Sequence, residues 1–337
     1  MGALVGSFTA IGWDRDAGRY VPFTAERGDP DFRPHLAHLG RAFVVDVTLC
    51  VERDTWLRCV SDVSARAREV VGRGLAELVD AAGRVEVLWF PYIDRTWVKT
   101  WTPSWGQSFS RPAVQPYNYP FSDNIPGPVA DLTARIVKGR PELAPELVEA
   151  QHAAITWGLA ATGAGDLVGP SKNVLLYAKP SMLRYSLGGW TVLTRRADLG
   201  EAASRFADIY RSLLNDYKER GLYPVNGPVE LRVTGLDPSP SLAACAPDPD
   251  NPNFDTALWI NVATLPGSLA HATFFTELER RMFCVFRPPL ALIRVEWSKG
   301  WAYGPRGAWS SRAMLTETIP ATCRRAPRVR SVEKAGL

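Results

Sequence analysis

Cysteine and histidine are scarce in this sequence, and the few present are poorly placed for metal binding or cross-linking. The 337 residues include five cysteines, widely spaced and without a C-x-x-C pair, and four histidines. Such a set argues against a disulfide framework and against a zinc site. The one H-x-x-H pair, His35 and His38, lacks the further ligands of a metal motif, so we expect no metal site.

Long apolar runs are also missing. No stretch approaches the ~18 uninterrupted apolar residues of a transmembrane helix. Residues 1–13 are apolar but lack the basic start and the cleavage-like end of a signal peptide, so they indicate a strand. The formal net charge of +4 is small and scattered, which argues against a nucleic-acid partner. We expect a soluble protein, and the sequence leaves its compartment open.

Glycine-rich phosphate loops are a third absence. The sequence contains neither a G-x-G-x-x-G pattern nor a P-loop. The glycines at 163–165 and at 188–189 form groups too short to cradle a diphosphate. The first group indicates a turn, and the second, inside a strand-like run, indicates a bulge or a close backbone approach.

Tryptophan, by contrast, is abundant. Twelve tryptophans stand in a chain with 46% hydrophobic and 22% charged residues, which is otherwise an ordinary composition for a globular protein. Tryptophan joins a large apolar body to one polar group, and this suits either a core or a wall around a bulky apolar ligand. The length allows one large domain or two smaller ones, and the sequence itself marks no clear boundary.

Hydrophobic periodicity predicts strands that run in pairs between separate helices. The predicted strands are 7–13, 19–24, 43–51, 85–90, 97–101, 173–179, 182–195, 229–234, 256–263 and 291–297. The predicted helices are 61–82, 129–138, 144–159, 199–220 and 269–284. Asp198 is expected to cap the fourth helix and Gly221 to end it. The order indicates an α+β fold with a large, mainly antiparallel sheet and helices over one face.

Two irregular segments interrupt or follow this pattern. Residues 102–128 are rich in Pro, Ser and Asn with aromatic residues between them, which predicts a packed lid. Residues 306–337 end in a basic stretch without periodicity, which predicts a solvated, disordered tail.

The most informative stretch is 226–237, which predicts a strand after a Gly-Pro turn. Side chains two apart on a strand share a face, so Glu230 and Arg232 point the same way. Asn261 lies in a second strand-like run that is otherwise apolar, and a buried amide needs hydrogen-bond partners. Two interpretations stay open: a solvated face with a surface ion pair, or an acid, a guanidinium and an amide around one apolar cavity.

The same runs carry a family resemblance. Together with supporting matches they resemble the substrate-binding half of the cholesterol oxidases of the vanillyl-alcohol-oxidase flavoprotein superfamily. The matching segments are 34–41, 89–102, 117–126, 158–162, 226–237, 258–262 and 296–302. The resemblance spans roughly residues 5 to 320, and it implies the α+β substrate-binding cap domain of that superfamily.

The resemblance also implies roles for individual residues. Glu230 and Arg232 match a Glu-x-Arg pair that lies by the flavin and is linked to oxygen access. Asn261 matches an active-site amide. Lys299 matches a lysine close to the flavin ring, and Glu296 matches a further acid of the same charged cluster.

Two positions depart from the family pattern. The family carries a Glu where this chain has Asp94, and the shorter acid reaches about one methylene less, which puts its role as base or gate in doubt. Before the two glycines at 188–189 the family has another acid, where this chain has Leu187. Both changes are consistent with a different substrate or with weakened chemistry.

A larger departure concerns the cofactor. The resemblance implies FAD, but the diphosphate-binding element of the family is missing from these residues. We therefore expect three parts: a remnant hairpin of the flavin-binding domain at 1–30, a cholesterol-oxidase-like substrate-binding domain at 31–305, and the tail at 306–337. The implied partners are a sterol or another bulky apolar alcohol and a separate FAD-binding chain.

Three functional hypotheses follow. The chain is the substrate-binding portion of an FAD-dependent oxidase of 3β-hydroxysteroids that uses oxygen as acceptor. Alternatively, it is a hydrophobic-ligand-binding module without redox activity. The third hypothesis is a flavin-free enzyme in which Glu230 or Asp94 acts as acid and base.

Overall fold

The computed structural model describes residues 4–29, 32–35, 42–104, 109–119, 127–176, 185–237, 244–265, 270–296, 299 and 312. The strands within these ranges are β1 Val5–Asp14, β2 Arg19–Glu26, β3 Phe43–Leu49, β4 Trp56–Asp62, β5 Arg84–Phe90, β6 Arg95–Pro103, β7 Arg111–Pro112, β8 Asp166–Pro170, β9 Ser186–Thr194, β10 Val229–Gly235, β11 Thr256–Thr264 and β12 Ala291–Val295. The helices are α1 Phe32–His35, α2 Ala67–Glu69, α3 Leu75–Ala82, α4 Gly127–Gly139, α5 Ala144–Thr162, α6 Ser171–Leu175, α7 Leu199–Glu219 and α8 His271–Val285.

The larger of two sheets has nine strands in the order β12-β9-β11-β10-β5-β6-β4-β8-β7. Every neighbouring pair is antiparallel except β7 and β8. The predicted α+β class with a large, mainly antiparallel sheet is therefore confirmed.

The two faces of this sheet have different cover, because alternate residues of each strand point to opposite sides. On one face Val87, Leu231 and Ile260 belong to a core that also contains Phe206 of α7 and Phe274 of α8. The prediction of helices over one face holds for α3, α7 and α8.

Among the described residues, a helix covers the second face at one end. Trp97 and Cys59 pack there in a second core with Ile155 and Leu159 of α5, so helices flank both faces and the prediction of one helical face is wrong at this end. Toward β10 and β11 the same face carries the charged and amide residues of the site.

The small sheet has the antiparallel order β2-β1-β3. The predicted hairpin 7–13 and 19–24 is confirmed as β1 and β2, and its core holds Phe8. Since β3 pairs with β1, the small sheet extends past residue 30, where we expected the remnant hairpin to end. Apolar side chains of β3 lie exposed at the edge of the sheet: Phe43, Val45, Val47 and Leu49.

The predicted helix 61–82 is wrong over its first half. Its start belongs to β4, and α2 and α3 are separated by a kink at Val70–Gly74. Gly72 has φ 145°, and a Cβ there would lie 2.6 Å from Ser204 Oγ of α7. Periodicity alone ignores this close helix contact, which only a glycine with positive φ permits.

Two further local predictions need correction. Strand 173–179 is wrong in its described part, because Ser171–Leu175 is the helix α6, preceded by β8, which the prediction missed. Asp198 occupies the N-cap of α7 but makes no side-chain cap bond; its carboxylate pairs with Arg195 instead. Gly221, with φ 69°, follows α7 as predicted.

The predicted lid is only partly described. Within 102–128 the structure leaves out residues 105–108 and 120–126. In the described part Tyr119 is buried, and its hydroxyl lies 3.0 Å from Cys59 Sγ in a hydrogen bond. The predicted tail lies outside the described residues except for Arg312. Among the described helices, none is both long and apolar enough to span a membrane.

Candidate active site

Strand register places Glu230 of β10 directly opposite Asn261 of β11, which in turn lies opposite Gly189 of β9. Asn261 is 2% exposed, and its Nδ2 donates to Glu230 Oε2 at 2.7 Å. The predicted pairing of these two strands, with Asn261 on the Glu230 side, is confirmed.

A second row of facing residues runs beside the first. Arg232 of β10 lies opposite Glu86 of β5, which lies opposite Lys99 of β6. Lys99 Nζ donates to Glu86 Oε2 at 2.9 Å, and the two side chains are only 1% and 3% exposed. Glu86 Oε1 lies 3.4 Å from Arg232 Nε. A buried charge pair of this kind persists only because each ion has a partner.

Aromatic rings cover the lysine of this row. Lys99 Nζ lies 4.1 Å from the centroid of a Trp97 ring and 5.4 Å from that of Tyr119. The negative faces of both rings attract the ammonium and replace part of its lost hydration.

Arg232 joins the two rows. One of its terminal nitrogens lies 2.5 Å from Glu230 Oε1, and the side chains of Arg232 and Glu230 are 46% and 20% exposed. Glu230 therefore does not lie on an open solvent face, whereas the solvated-face interpretation applies in part to Arg232. The result is a continuous chain of contacts from Lys99 through Glu86, Arg232 and Glu230 to Asn261.

The surroundings of Glu230 disfavour its charged form. Burial raises the pKa of its carboxyl above the usual 4.5, and the charge of Glu86 and a hydrogen bond with Glu86 raise it further. Arg232 opposes this shift by its positive charge and its hydrogen bond. An acid balanced in this way can hold or release a proton in response to a small change in its neighbours.

Gly189 brings two more predicted residues to Asn261. A Cβ at this position would lie 3.0 Å from Glu296 Oε2, 3.1 Å from Asn261 Oδ1 and 3.1 Å from Lys299 Cδ. Lys299 Nζ pairs with Glu296 Oε2 at 3.2 Å. The register of β9 against β11 is continuous through this glycine, so it serves a close approach and not a bulge.

The amide of Asn261 leaves one atom available. Its nitrogen is used by Glu230, and its buried Oδ1 has no hydrogen-bond partner among the described residues. Because a carbonyl oxygen can only accept, this atom fits a ligand that donates a hydrogen bond, such as a hydroxyl.

Asp94 takes no part in these contacts. Its carboxylate accepts a hydrogen bond from the Arg68 backbone N–H at 3.0 Å and pairs with Arg68 Nε at 3.1 Å, with 41% of its side chain exposed. The structure thus brings together five of the six predicted site residues and places the sixth at the β5–β6 turn.

Sequence reasoning missed Glu86 and Lys99. Each is a single charge inside a run of buried apolar neighbours such as Val87 and Val98, which was a usable signal. Their pairing depends on the register of the β5–β6 hairpin, which the alternation of either strand alone does not give.

The donor set fits part of a flavin site. Lys299, Glu296 and Asn261 offer a cation, an anion and a neutral acceptor at one place, and these groups can pair with the polar edge of a flavin ring or with a substrate hydroxyl. A diphosphate-binding loop is absent from the sequence. Among the described residues, no group of three His, Cys, Asp or Glu side chains is arranged to hold a metal ion.

Comparison with solved structures first defines the class of fold. A xylooligosaccharide oxidase from Myceliophthora thermophila C1 is 10% identical and superposes with a TM-score of 0.51, covering 98% of this chain and 64% of that one. This likeness shows the shared fold alone.

Closer similarity defines the family. A family model described as cholesterol oxidase, substrate-binding, matches residues 57–332. A solvent-stable cholesterol oxidase is 41% identical with a TM-score of 0.87, and the cholesterol oxidase from Brevibacterium sterolicum is 35% identical with a TM-score of 0.85. Each match covers 97% of this chain and 64% of the solved one, so the chain spans about two thirds of their length. No curated protein matches. The chain belongs to the family of cholesterol oxidase substrate-binding domains.

Proposed function

We propose that this chain is the substrate-binding portion of an FAD-dependent sterol oxidase, which oxidises a 3β-hydroxyl group with oxygen as acceptor. Support comes from the identity of 41% to a cholesterol oxidase over 97% of the chain. The observation that carries the proposal is the buried Asn261 Oδ1, which has no hydrogen-bond partner in the described part of the chain and lies beside Glu296 and Lys299 at Gly189. A sterol offers one hydroxyl as a hydrogen-bond donor, and this donor matches the acceptor that Asn261 leaves.

In this proposal Asn261 orients the substrate, and Glu230 accepts the proton of the substrate hydroxyl. Asn261 Oδ1 accepts the hydrogen bond of the sterol hydroxyl and so fixes the carbon that is oxidised. Glu230 holds the amide in this orientation through the 2.7 Å bond to Nδ2. As the alcohol is oxidised, its hydroxyl proton leaves the hydrogen bond with Asn261 Oδ1 and passes to Glu230, the neighbouring base. The raised pKa of Glu230 favours this uptake, and Arg232 stabilises the charged form of the acid before it.

FAD, when bound, supplies the acceptor for the hydride of the alcohol carbon. Lys299 would lie beside its ring, and Glu296 holds the lysine there through the 3.2 Å ion pair. Because the sequence has no diphosphate-binding motif, the rest of the cofactor would be held by residues outside this sequence. For Asp94, the contacts with Arg68 favour a structural role over the acid or gate role that the resemblance implies.

One observation favours a second candidate, a hydrophobic-ligand-binding module without redox activity. The missing diphosphate motif means that the chain purified alone should be colourless. A yellow preparation with stoichiometric FAD would contradict this expectation and would favour the oxidase over the module.

The test of the proposal is sterol binding by the chain. Cholesterol titrated into the purified protein should quench tryptophan fluorescence saturably, since Trp97 and Trp259 lie on the strands of the site. Cholestane, which lacks the hydroxyl, should bind more weakly because it leaves Asn261 Oδ1 without a donor. Absence of saturable quenching by cholesterol would refute the proposal. Binding with no oxidation after co-expression with an FAD-binding partner would leave the module as the better description.

A further inference from the structure

The buried ion pair between Lys99 and Glu86 invites a functional explanation. Both side chains are almost fully buried, and removing two charges from water is expensive even when they pair. Buried pairs can often be replaced by apolar residues without loss of stability. Packing alone therefore gives no reason for these two charges to stand in the middle of strands β5 and β6.

We propose that Lys99 and Glu86 form a buried anchor that holds Arg232 against Glu230, which makes Glu86 a positioning residue of the proposed site. Lys99 occupies one oxygen of Glu86 at 2.9 Å, and the other oxygen faces Arg232 Nε at 3.4 Å. Since the lysine fixes the carboxylate from the core side, Glu86 presents a stationary acceptor to the arginine.

Arg232 needs such a support because its side chain is only half buried. A planar guanidinium is oriented by two separate acceptors, and here these are Glu86 at Nε and Glu230 at a terminal nitrogen. With one acceptor removed, the long side chain would regain rotamer freedom and leave Glu230 more often.

The anchor also sets the charge balance around Glu230. Lys99 and Arg232 contribute two positive charges, and Glu86 and Glu230 contribute two negative charges when both are ionised. Asn261 faces Glu230 as a neutral donor. The pair of Glu296 and Lys299 lies on the far side of Asn261, across Gly189. Glu86 and Glu230 share the guanidinium of Arg232. Two carboxyl groups in this arrangement lose their protons as a pair, and the second proton is released at a higher pH than the first.

The experiment follows the carboxyl titration by NMR of ¹³C-labelled glutamate, with Glu230 assigned through Glu230→Gln. In Glu86→Gln the carboxamide oxygen still accepts from Arg232 Nε while the like charge is gone, so the midpoint of Glu230 should move to lower pH. In Lys99→Met one positive charge is gone, and the highest carboxyl midpoint of the cluster should move to higher pH. The double variant combines Glu86→Gln with Lys99→Met. If Lys99 acts only through Glu86, loss of the lysine has no further effect once Glu86 is gone, so Glu230 should titrate in the double variant as it does in Glu86→Gln alone.

Controls separate positioning from packing. Lys99→Arg keeps the charge and should restore the wild-type titration. Glu279→Gln removes another buried acid, which accepts from Trp190 Nε1 in the other core, and should leave Glu230 unchanged. If Lys99→Met does not fold, the comparison of Glu86→Gln with the double variant still decides the point.

Two results would overturn the proposal. One is an unchanged Glu230 titration in Glu86→Gln. The other is an effect of Lys99→Met that persists undiminished when Glu86 is already Gln, because a lysine that acts without Glu86 is not its anchor. The inference rests on the proposed site, but the titration uses no sterol and no flavin, so its failure is distinguishable from failure of the sterol-oxidase proposal.

Discussion

Asn261 turns its amide nitrogen toward Glu230 at 2.7 Å, and its buried carbonyl oxygen has no hydrogen-bond partner among the described residues. An ionised Glu230 is only an acceptor, so the nitrogen faces it. In the proposed site this direction of the hydrogen bond leaves Asn261 able to accept from a hydroxyl.

Replacing Asn261 with Leu should weaken binding of cholesterol about 2- to 10-fold, the equivalent of one net hydrogen bond of about 0.5–1.5 kcal/mol. Binding of cholestane should change less, because it has no hydroxyl to lose. The measurement is tryptophan quenching by both ligands. Asn226→Leu is the matched control: this buried amide accepts from the Leu265 backbone N–H at 2.7 Å, and its loss should affect the two ligands alike. If Asn261→Leu weakens the binding of cholesterol and of cholestane equally, Asn261 is not the residue that binds the sterol hydroxyl.

Stability should depend on pH through Glu230. Its pKa is raised by burial and by Glu86, so the folded protein keeps this proton where the unfolded chain has released it. The resulting stabilisation is complete below the ordinary pKa of 4.5 and is lost as the pH rises through the folded pKa. Urea unfolding across this window should show a fall in the free energy of unfolding that Glu230→Gln lacks. Identical pH slopes for wild type and variant would contradict the shift.

Replacing Gly189 with Ala should disturb the site more than the fold. The new methyl would lie 3.0–3.1 Å from Glu296 Oε2, Asn261 Oδ1 and Lys299 Cδ, so these side chains must move. We expect a loss of roughly 1–3 kcal/mol in unfolding free energy and weaker cholesterol binding. Gly165→Ala is the control, since a Cβ there meets no atom within 4 Å. Normal cholesterol binding by Gly189→Ala would show that the close approach at Gly189 is not needed.

The exposed apolar side chains of β3 should make the chain self-associate. Val45, Val47 and Leu49 lie exposed on a strand at the edge of the small sheet, and such edges pair readily with other chains. Sedimentation should show an average mass that rises with concentration. Val47→Lys should reduce this rise, whereas Leu132→Lys on the exposed surface of α4 should not. An equal effect of both lysines would place the contact elsewhere.

Alternation within a strand was enough to place two candidate residues on one face, the family resemblance supplied the others, and contacts between distant elements account for what was missed. Glu230 and Arg232 share a face because they stand two apart in β10, and this is a local property. The pairing of Glu86 with Lys99 depends on hairpin register. The kink at Gly72 depends on Ser204 of α7, far along the chain, so the continuous helix predicted for 61–82 was wrong.

The site is assembled across neighbouring strands and not along any one of them. Most of its residues come from β5, β6, β9, β10 and β11, which adjoin in the sheet although the chain between Glu86 and Asn261 contains α4, α5 and α7. Glu296 and Lys299 follow β12. Closing such long segments is slow in folding. Ligand binding should therefore appear only after the central sheet is complete, and a chain truncated before β11 would keep Glu86, Lys99 and Arg232 while lacking the amide that meets the ligand. The rate at which sterol binding returns during refolding would therefore report the rate of the last strand pairing in the sheet.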